Sequence, residues 1–392
     1  MRTIEAKIYL KPAQEEVLSS WMRTCCGIYN HALAQRTKAY RRRNESVTYL
    51  KQQKLLTEQR SRRAGLASIP LGFERDALRR VDRGFQAFFR RIKSGEKPGF
   101  PRFRSWRCYN SMEYSTLGTY FRSDGLLSIP RLGLVKYRAG KQRISKMQRL
   151  LRIIKRASGW YAQVVVDEVK PIGKLQDEGP IGIDVGLESF ATMSDGSKID
   201  NPRFAASSAR KLRSLQRSVS RKTKGSKNRR KSVSRLRRHH ERVAAQRKSF
   251  CHEHSTQLVR CHPMIAVEKL NVSGMSRGRL AKSILDAGWS IFLNQLRVKA
   301  ANAGRKLIEV NARGTSQTCP KCGNVKRKEL SERTHVCGQC GLVCHRDHAA
   351  AQVILARALD GNRGITPVEE SSSIPPLVAV GQDDPVKQED AW

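Results

Sequence analysis

Between Arg2 and Leu10 the apolar residues Ile4, Ala6, Ile8 and Leu10 alternate with polar neighbours, the two-residue period of a strand with one buried face. Pro12 opens a different rhythm. Leu18, Trp21, Met22, Cys25, Ile28, Tyr29 and Leu33 recur at steps of three and four, which predicts a long helix with one buried stripe; Arg36, Arg41, Arg42 and Arg43 carry its end into solvent. A second helix is predicted over about Phe73 to Lys93, with Leu78, Val81, Phe85, Phe88 and Phe89 on one side and arginines on the other. Glycine and proline between Lys93 and Arg104 end it, and aromatic rings there interleave with cations. From there to Val169 the pattern is short strands and turns, including a hairpin over Ile153 to Val169 that turns at Ala157-Ser158-Gly159. The first half reads as a β-rich platform, begun by the N-terminal strand, with a helical module inserted into it.

A linker containing Pro171, Gly173 and Gly179-Pro180 separates this from a second rhythm. Ile181 to Gly186 is a buried strand interrupted by one acid, Asp184, and Phe190 to Ile199 adds strands around an Asp195-Gly196 turn. Arg210 to Lys248 reads as a pair of basic helices broken near Lys224-Gly225-Ser226, because Leu212, Leu215, Val219, Val233, Leu236, Val243 and Ala244 are spaced along it. Met264 to Leu270 is again a short strand with one acid, Glu268. A helix from about Ser283 to Ala303, a strand from Lys306 to Asn311, a cysteine-rich segment and a helix from His348 to about Leu359 follow. That order of elements is the order of an RNase H-like α/β fold. From about Asp360 the chain turns Pro-, Ser- and acid-rich, and a disordered tail is expected.

Charge narrows the partner. Seventy-six Lys and Arg against 34 Asp and Glu leave +42, which repels itself unless a polyanion neutralises it, so nucleic acid is expected. A chain of 392 residues with 39% hydrophobic content is long and apolar enough for two or three cores. No apolar run reaches the roughly 18 residues that span a bilayer, and the N-terminus lacks a signal-peptide pattern. The expected location is cytoplasmic and nucleoid-associated, with no membrane partner.

Three features carry chemistry. Cys319, Cys322, Cys337 and Cys340 form two Cys-x2-Cys pairs with fourteen residues between them, the frame of a tetrahedral structural zinc site; four thiolates saturate the ion and leave no open position. Cys25, Cys26, Cys108, Cys251, Cys261 and Cys344 show no paired spacing and read as small hydrophobes or surface thiols. His335, His345 and His348 read as ordinary polar residues, the last two also as phosphate contacts. Asp184, Glu268 and Asp347 supply oxygen ligands at the strand ends and helix start of such a fold, where three carboxylates hold two Mg²⁺ or Mn²⁺ ions for phosphodiester hydrolysis. Taken singly each has a plainer role: turn chemistry for Asp184, a solvated strand end paired with Lys269 for Glu268, a helix cap for Asp347. The stretch Arg210 to Lys248 holds seventeen cations with Glu241 as its only acid, and Lys222, Lys224, Arg229, Arg230, Arg237 and Arg238 are candidates for nucleic-acid contact. Arg102, Phe103, Arg104, Trp106 and Tyr109 suit phosphate contact and base stacking, although Phe100 and Phe103 equally suit a core.

Together these residues resemble the TnpB (OrfB) family encoded by insertion sequences, relatives of type V CRISPR effectors. The resemblance is carried by Tyr29-Asn30-His31, Phe88-Phe89-Arg90 through Gly99-Phe100-Pro101-Arg102-Phe103, Gly182-Ile183-Asp184-Val185-Gly186, Val267-Glu268-Lys269-Leu270, Asp286-Ala287-Gly288-Trp289, Thr315-Ser316-Gln317-Thr318-Cys319 and Arg346-Asp347, from Arg2 to about Leu359. It implies an RNA-guided DNA endonuclease with Asp184, Glu268 and Asp347 as the acidic triad. The implied domains are a wedge-like β-barrel (1–10 and 95–172), a helical recognition module (11–94), a RuvC-like nuclease (180–312 and 342–360), a zinc ribbon insert (313–341) and an acidic tail (361–392). Guide RNA, target double-stranded DNA and one protein per RNA are implied, and older usage would label such a chain a transposase. The helix with Asp286-Ala287-Gly288-Trp289 is implied to pack beside the active site. Ala349 and Val353 stand where the family commonly has asparagine, which removes possible supporting hydrogen bonds and bears on rate. The alternatives are an RNA-guided regulator that binds without cutting and an unguided RNase H-like nuclease.

Overall fold

The computed structural model describes residues 2–138, 147–167, 173–329 and 332–362. The expected tail from residue 363 and the linker residue Pro171 lie outside them. The elements run β1 (Arg2–Tyr9), α1 (Pro12–Arg43), α2 (Tyr49–Arg62), α3 (Ala64–Ala67), α4 (Leu71–Lys93), β2 (Ser111–Tyr114), β3 (Leu126–Ile129), β4 (Gly133–Tyr137), β5 (Leu150–Arg156) and β6 (Gly159–Val166). The chain continues through β7 (Ile181–Val185), β8 (Ser189–Met193), β9 (Lys198–Asp200), α5 (Phe204–Ser220), α6 (Lys227–Cys261), β10 (Met264–Glu268), α7 (Val272–Met275), α8 (Ala281–Ala287), α9 (Trp289–Asn302), β11 (Lys306–Val310), β12 (Thr334–Val336), β13 (Val343–His345) and α10 (Arg346–Asn362). They form two units, one of Met1–Leu175, Arg203–Arg260 and Leu285–Gly304, the other of Gln176–Pro202, Cys261–Ile284 and Arg305–Trp392.

The first unit is built on a six-stranded antiparallel sheet in the order β2-β5-β6-β1-β4-β3. The alternation read at the N-terminus fits: Ile4 and Ile8 are buried, and β1 lies centrally between β6 and β4. Helices α1, α2 and α4 bury Leu18, Trp21, Leu33, Leu56, Phe73 and Val81 in the same core as the sheet. The buried Glu74 meets Arg60, and Asp76 accepts from Arg80 and from the Glu113 amide, so each buried acid has a charged partner. The basic helices fold as expected, with α6 running to Cys261. Glu241 accepts both amides of the β5–β6 turn, from Ala157 at 2.8 Å and Ser158 at 3.1 Å.

The helix expected over 283–303 is broken. Gly288 has φ 76°, and a Cβ there would come within 2.6 Å of the Arg247 side chain. Arg247 passes beneath it to the Asp286 carbonyl and carboxylate, and that carboxylate also accepts the Ala205 amide at the start of α5.

The second unit holds a five-stranded mixed sheet in the order β11-β10-β7-β8-β9, with β10 parallel to β7 and β11, and β7-β8-β9 an antiparallel meander. Helix α10 covers it, burying Ala350, Ala351, Ile354 and Ala358. The approach is so close that a Cβ on Gly182 would sit 2.2 Å from the Ala351 carbonyl oxygen and 2.9 Å from Leu355. Glycine is required here by space, and G182A is expected to cost roughly 1–3 kcal/mol or more through overpacking. A thermal midpoint unchanged in that variant would contradict the close packing.

Candidate active site and metal centre

Asp184 is the fourth residue of β7, after buried Ile181, Gly182 and Ile183, and Glu268 closes β10. The parallel register pairs Val267 with Ile183, so one step on Glu268 stands level with Asp184 at the same sheet edge. Asp347 lies in the first turn of α10, which starts two residues earlier than expected, and is buried. Gly186 lies beside it: a Cβ there would be in ordinary contact with Asp347 Oδ2 at 4.0 Å, and its tight neighbour would be the Ser189 carbonyl oxygen at 3.0 Å.

The electrostatics follow from crowding. Burial, then the charges of Glu268 and Asp347, push the Asp184 carboxyl well above its usual range, against a weaker pull from Arg346. Burial also raises Glu268, opposed by the hydroxyl of Thr315, which donates to Glu268 Oε1, and by Arg357. Among the described residues no hydrogen bond reaches the Asp184 carboxylate, whereas Asp347 Oδ1 lies 3.4 Å from the Arg346 guanidinium and Glu268 takes the Thr315 hydroxyl. The donor set is thus three oxygen groups, of which Asp184 has no partner of its own among the described residues. That set fits hard divalent cations. The acids do not converge as tightly as the thiols described below: among the described residues, only the four cysteines form a metal-ligand group of three or more with all atoms within 4.8 Å.

The plainer pairing of Glu268 with Lys269 is not seen: Lys269 donates its amide to the Val310 carbonyl, and the contact to Glu268 comes from Thr315. Asp347, in the first turn of α10, also sits where an acid suits a helix start. Thr315 and Arg357 were not among the candidates; they reach Glu268 only through the fold, and the Thr315 motif was the sole trace in the sequence. Arg357 is itself held by the carbonyls of Asn311 and Arg313. Ala349 and Val353 are buried, so the positions that differ from the family are apolar core in this chain.

The four cysteines meet as predicted. Cys319 Sγ lies 3.6 Å from Cys340 Sγ, and Cys322 Sγ lies 3.5 Å from Cys337 Sγ. Those separations fit a tetrahedral site, whose ~2.3 Å Zn–S bonds place sulfurs about 3.8 Å apart. Each pair sits on a tight knuckle: the Gly323 amide donates to the Cys319 carbonyl and the Gly341 amide to the Cys337 carbonyl. Amides of Cys340 and Gln339 directed at Cys337 pull its thiol down to about 6, readying it as a thiolate ligand. The remaining six cysteines form no disulfide.

The histidines have local work. His348 Nε2 lies 3.1 Å from the Ser194 carbonyl, His345 Nδ1 accepts the Asp347 amide at 3.2 Å, and His335 is buried against Lys328.

The basic candidates divide. Arg102, Arg104, Lys224, Arg230, Arg237 and Arg238 are exposed, whereas Lys222 and Arg229 are partly buried. Lys222 Nζ joins α5 to α6 through Ser218 and Ser232, and Arg238 donates to the Ala157 carbonyl, so both also serve the fold. Sequence reasoning passed over Arg213, Arg217 and Arg221, which line a groove on α5. Tyr109 is buried beneath Arg80 and unavailable for stacking; Phe103 is exposed, against a core role, while Phe100 is half exposed with its ring packed on Phe85 and Phe88.

Comparison with known proteins gives a consistent outcome. Residues 163–279 match the "Probable transposase" model of IS605 OrfB proteins, residues 289–354 the Cas12f1-like TNB domain, and residues 1–45 a helix-turn-helix domain of OrfB proteins. In the structure those first 45 residues hold β1 and one uninterrupted helix, α1. A Streptomyces pristinaespiralis protein named "Putative RNA-guided DNA endonuclease" is 30% identical over 386 residues, covering 95% of this chain and 93% of its own. An Escherichia coli K12 protein named "Putative RNA-guided DNA endonuclease InsQ" is 27% identical over 378 residues, covering 91% and 92%. In fold the chain is similar to Cas12f1 as solved with its guide RNA and target DNA, with a TM-score of 0.55 at 14% identity over 88% of this chain and 83% of that one. Among the described residues no helix is long and apolar enough to cross a membrane.

Proposed function

The chain belongs to the IS605 OrfB (TnpB) family, and from that premise we propose that it is an RNA-guided DNA endonuclease whose catalytic acids are Asp184, Glu268 and Asp347. The observation that supports the reading is the placement of Asp184 and Glu268 level at one edge of the β11-β10-β7-β8-β9 sheet, with Asp347 near enough that burial and then the charges of Glu268 and Asp347 raise Asp184. The strand order supports an RNase H-like, RuvC-type nuclease core. The six-stranded sheet with α1–α4 inserted after β1 suits the wedge and recognition module, and residues 313–341 suit a zinc ribbon.

When bound, two Mg²⁺ or Mn²⁺ ions supply activation of water and stabilisation of the leaving oxygen. The chain's own part is positional. Asp184 and Glu268 are fixed by parallel register, Asp347 by the close seat of α10 on Gly182, and Glu268 is aimed by Thr315. Guide RNA would read the target by base pairing while the protein reads a short adjacent motif and grips backbone with its cationic helices, in keeping with a charge of +42. The relatives' names and the acidic triad favour cutting over regulated binding, and the nucleoid would be the place of action.

The test is direct. Protein purified with its co-expressed RNA and given Mg²⁺ is expected to cut matched duplex next to one adjacent motif from a randomised set. Binding without cutting across the whole set would leave a regulator, and the nuclease reading would fail.

A further inference from the structure

The segment from Gly99 to Arg107 carries an arrangement that the cleavage chemistry does not use. Phe100, Phe103 and Trp106 recur at every third position, with Arg102, Arg104 and Arg107 between and beside them. Phe103 is 64% exposed, Trp106 55% and Phe100 49%. Rings in solvent on loose loops are ordinary, but this backbone is fastened to α1. Asn30 brackets it as a neighbouring strand would: its Oδ1 accepts the Arg104 amide and its Nδ2 donates to the Arg104 carbonyl, both at 2.8 Å. The Tyr29 hydroxyl donates to the Arg102 carbonyl at 3.1 Å, and the Arg104 guanidinium lies 5.2 Å from the Tyr29 ring centre. Trp106 stands in one 3-10 turn with the Arg107 guanidinium 5.2 Å from its ring. At the base Phe100 meets Phe85 and Phe88 edge-on at 5.6 and 5.5 Å.

Rings held open at regular steps, with guanidiniums between them, match unpaired nucleotides, whose bases stack on any π-face while the phosphates take the cations. A second copy of this chain would bring the same arginines against these, so like charge opposes self-association. We propose that Phe103 and Trp106, flanked by Arg102 and Arg104, form a stacking site for unpaired nucleotides of the bound guide RNA. The site rests on the guide-RNA reading above. RNA is the occupant because it is the polyanion carried before a target is met, and an aromatic surface this open is covered in the resting particle.

Ultraviolet cross-linking of the co-purified complex, followed by nuclease digestion and mass spectrometry, is expected to find nucleotide adducts on Phe103 or Trp106. In titrations of stripped protein with the recovered RNA, F103A and W106A should each weaken binding roughly tenfold, with the slope of log affinity against log salt unchanged. R104A should instead flatten that slope by about one phosphate contact. Thermal midpoints of the ring variants should match wild type, since these side chains stand in solvent. Wild-type affinity in both ring variants, with adducts elsewhere or only to target DNA, overturns the site alone. A wild type that sediments as a dimer and becomes monomeric on F103A assigns the rings to a copy–copy interface and likewise overturns it. Recovery of no discrete RNA overturns both the site and the reading beneath it.

Discussion

D184N is expected to keep its RNA and its target binding and to lose cleavage by at least about 10³-fold, equivalent to ~4 kcal/mol of transition-state stabilisation. The substitution keeps size and removes one charge from a half-buried position that Glu268 and Asp347 already make unfavourable for a carboxylate. The same crowding sets a stability signature. A carboxyl whose folded pKa is raised binds more protons folded than unfolded, so metal-free stability falls as pH rises from the unfolded value, about 4, toward the raised one. D184N removes that loss. In chelator at neutral pH it should therefore melt above wild type, the difference closing near pH 4. Added Mg²⁺ should raise the wild-type midpoint and leave the variant nearly unmoved. Calorimetry with and without Mg²⁺, beside a cleavage time course, reads both effects. Cleavage by D184N at the wild-type rate would remove Asp184 from the site.

Loss of the zinc is expected to have the second large effect. Structural zinc in small domains contributes on the order of 10 kcal/mol of apparent folding free energy, and few apolar contacts are available to replace it in a knuckled segment. C337S or strong chelation should release one zinc per chain and open the segment between Arg313 and His345 to protease. The damage should not stay local. Strand β13 runs directly into α10, the Arg346 amide donates to the Arg333 carbonyl at 2.8 Å, and the Arg346 guanidinium donates to the Glu332 carbonyl at 3.1 Å. Asp347 is the next residue. Cleavage should fall by about 10–100-fold, in proportion to zinc lost, with guide-RNA binding retained. Metal analysis, limited proteolysis and cleavage assays on the same samples would decide it; full activity in a zinc-free chain would show the knuckles to be independent of the site.

What was legible in the sequence is what local rules write into it. Short apolar strands broken by one acid gave Asp184 and Glu268 their places, and cysteine spacing gave the thiol cluster. Contacts made across the fold left fainter marks. Helix α2 escaped because it buries little besides Gln52 and Leu56, too narrow a stripe to show a period. The break at Gly288 depends on Arg247, some forty positions earlier, and the support of Glu268 by Thr315 crosses a similar gap. Charge counting located the basic helices but could not separate Arg230 and Arg237, in solvent, from Lys222, which braces one helix against the other. Tyr109 and Phe103 looked alike as stacking candidates six residues apart, and only packing showed one beneath Arg80 and the other uncovered.

The contact at Gly182 has a consequence for how this enzyme can vary. With the Ala351 carbonyl where a first side-chain carbon would go, position 182 has an alphabet of one letter. The spacing between the strand that bears Asp184 and the helix that bears Asp347 is therefore not tunable at this position. Variation of that contact, by drift or by directed selection, has to be introduced from the helix, where Leu355 offers a side chain to be exchanged.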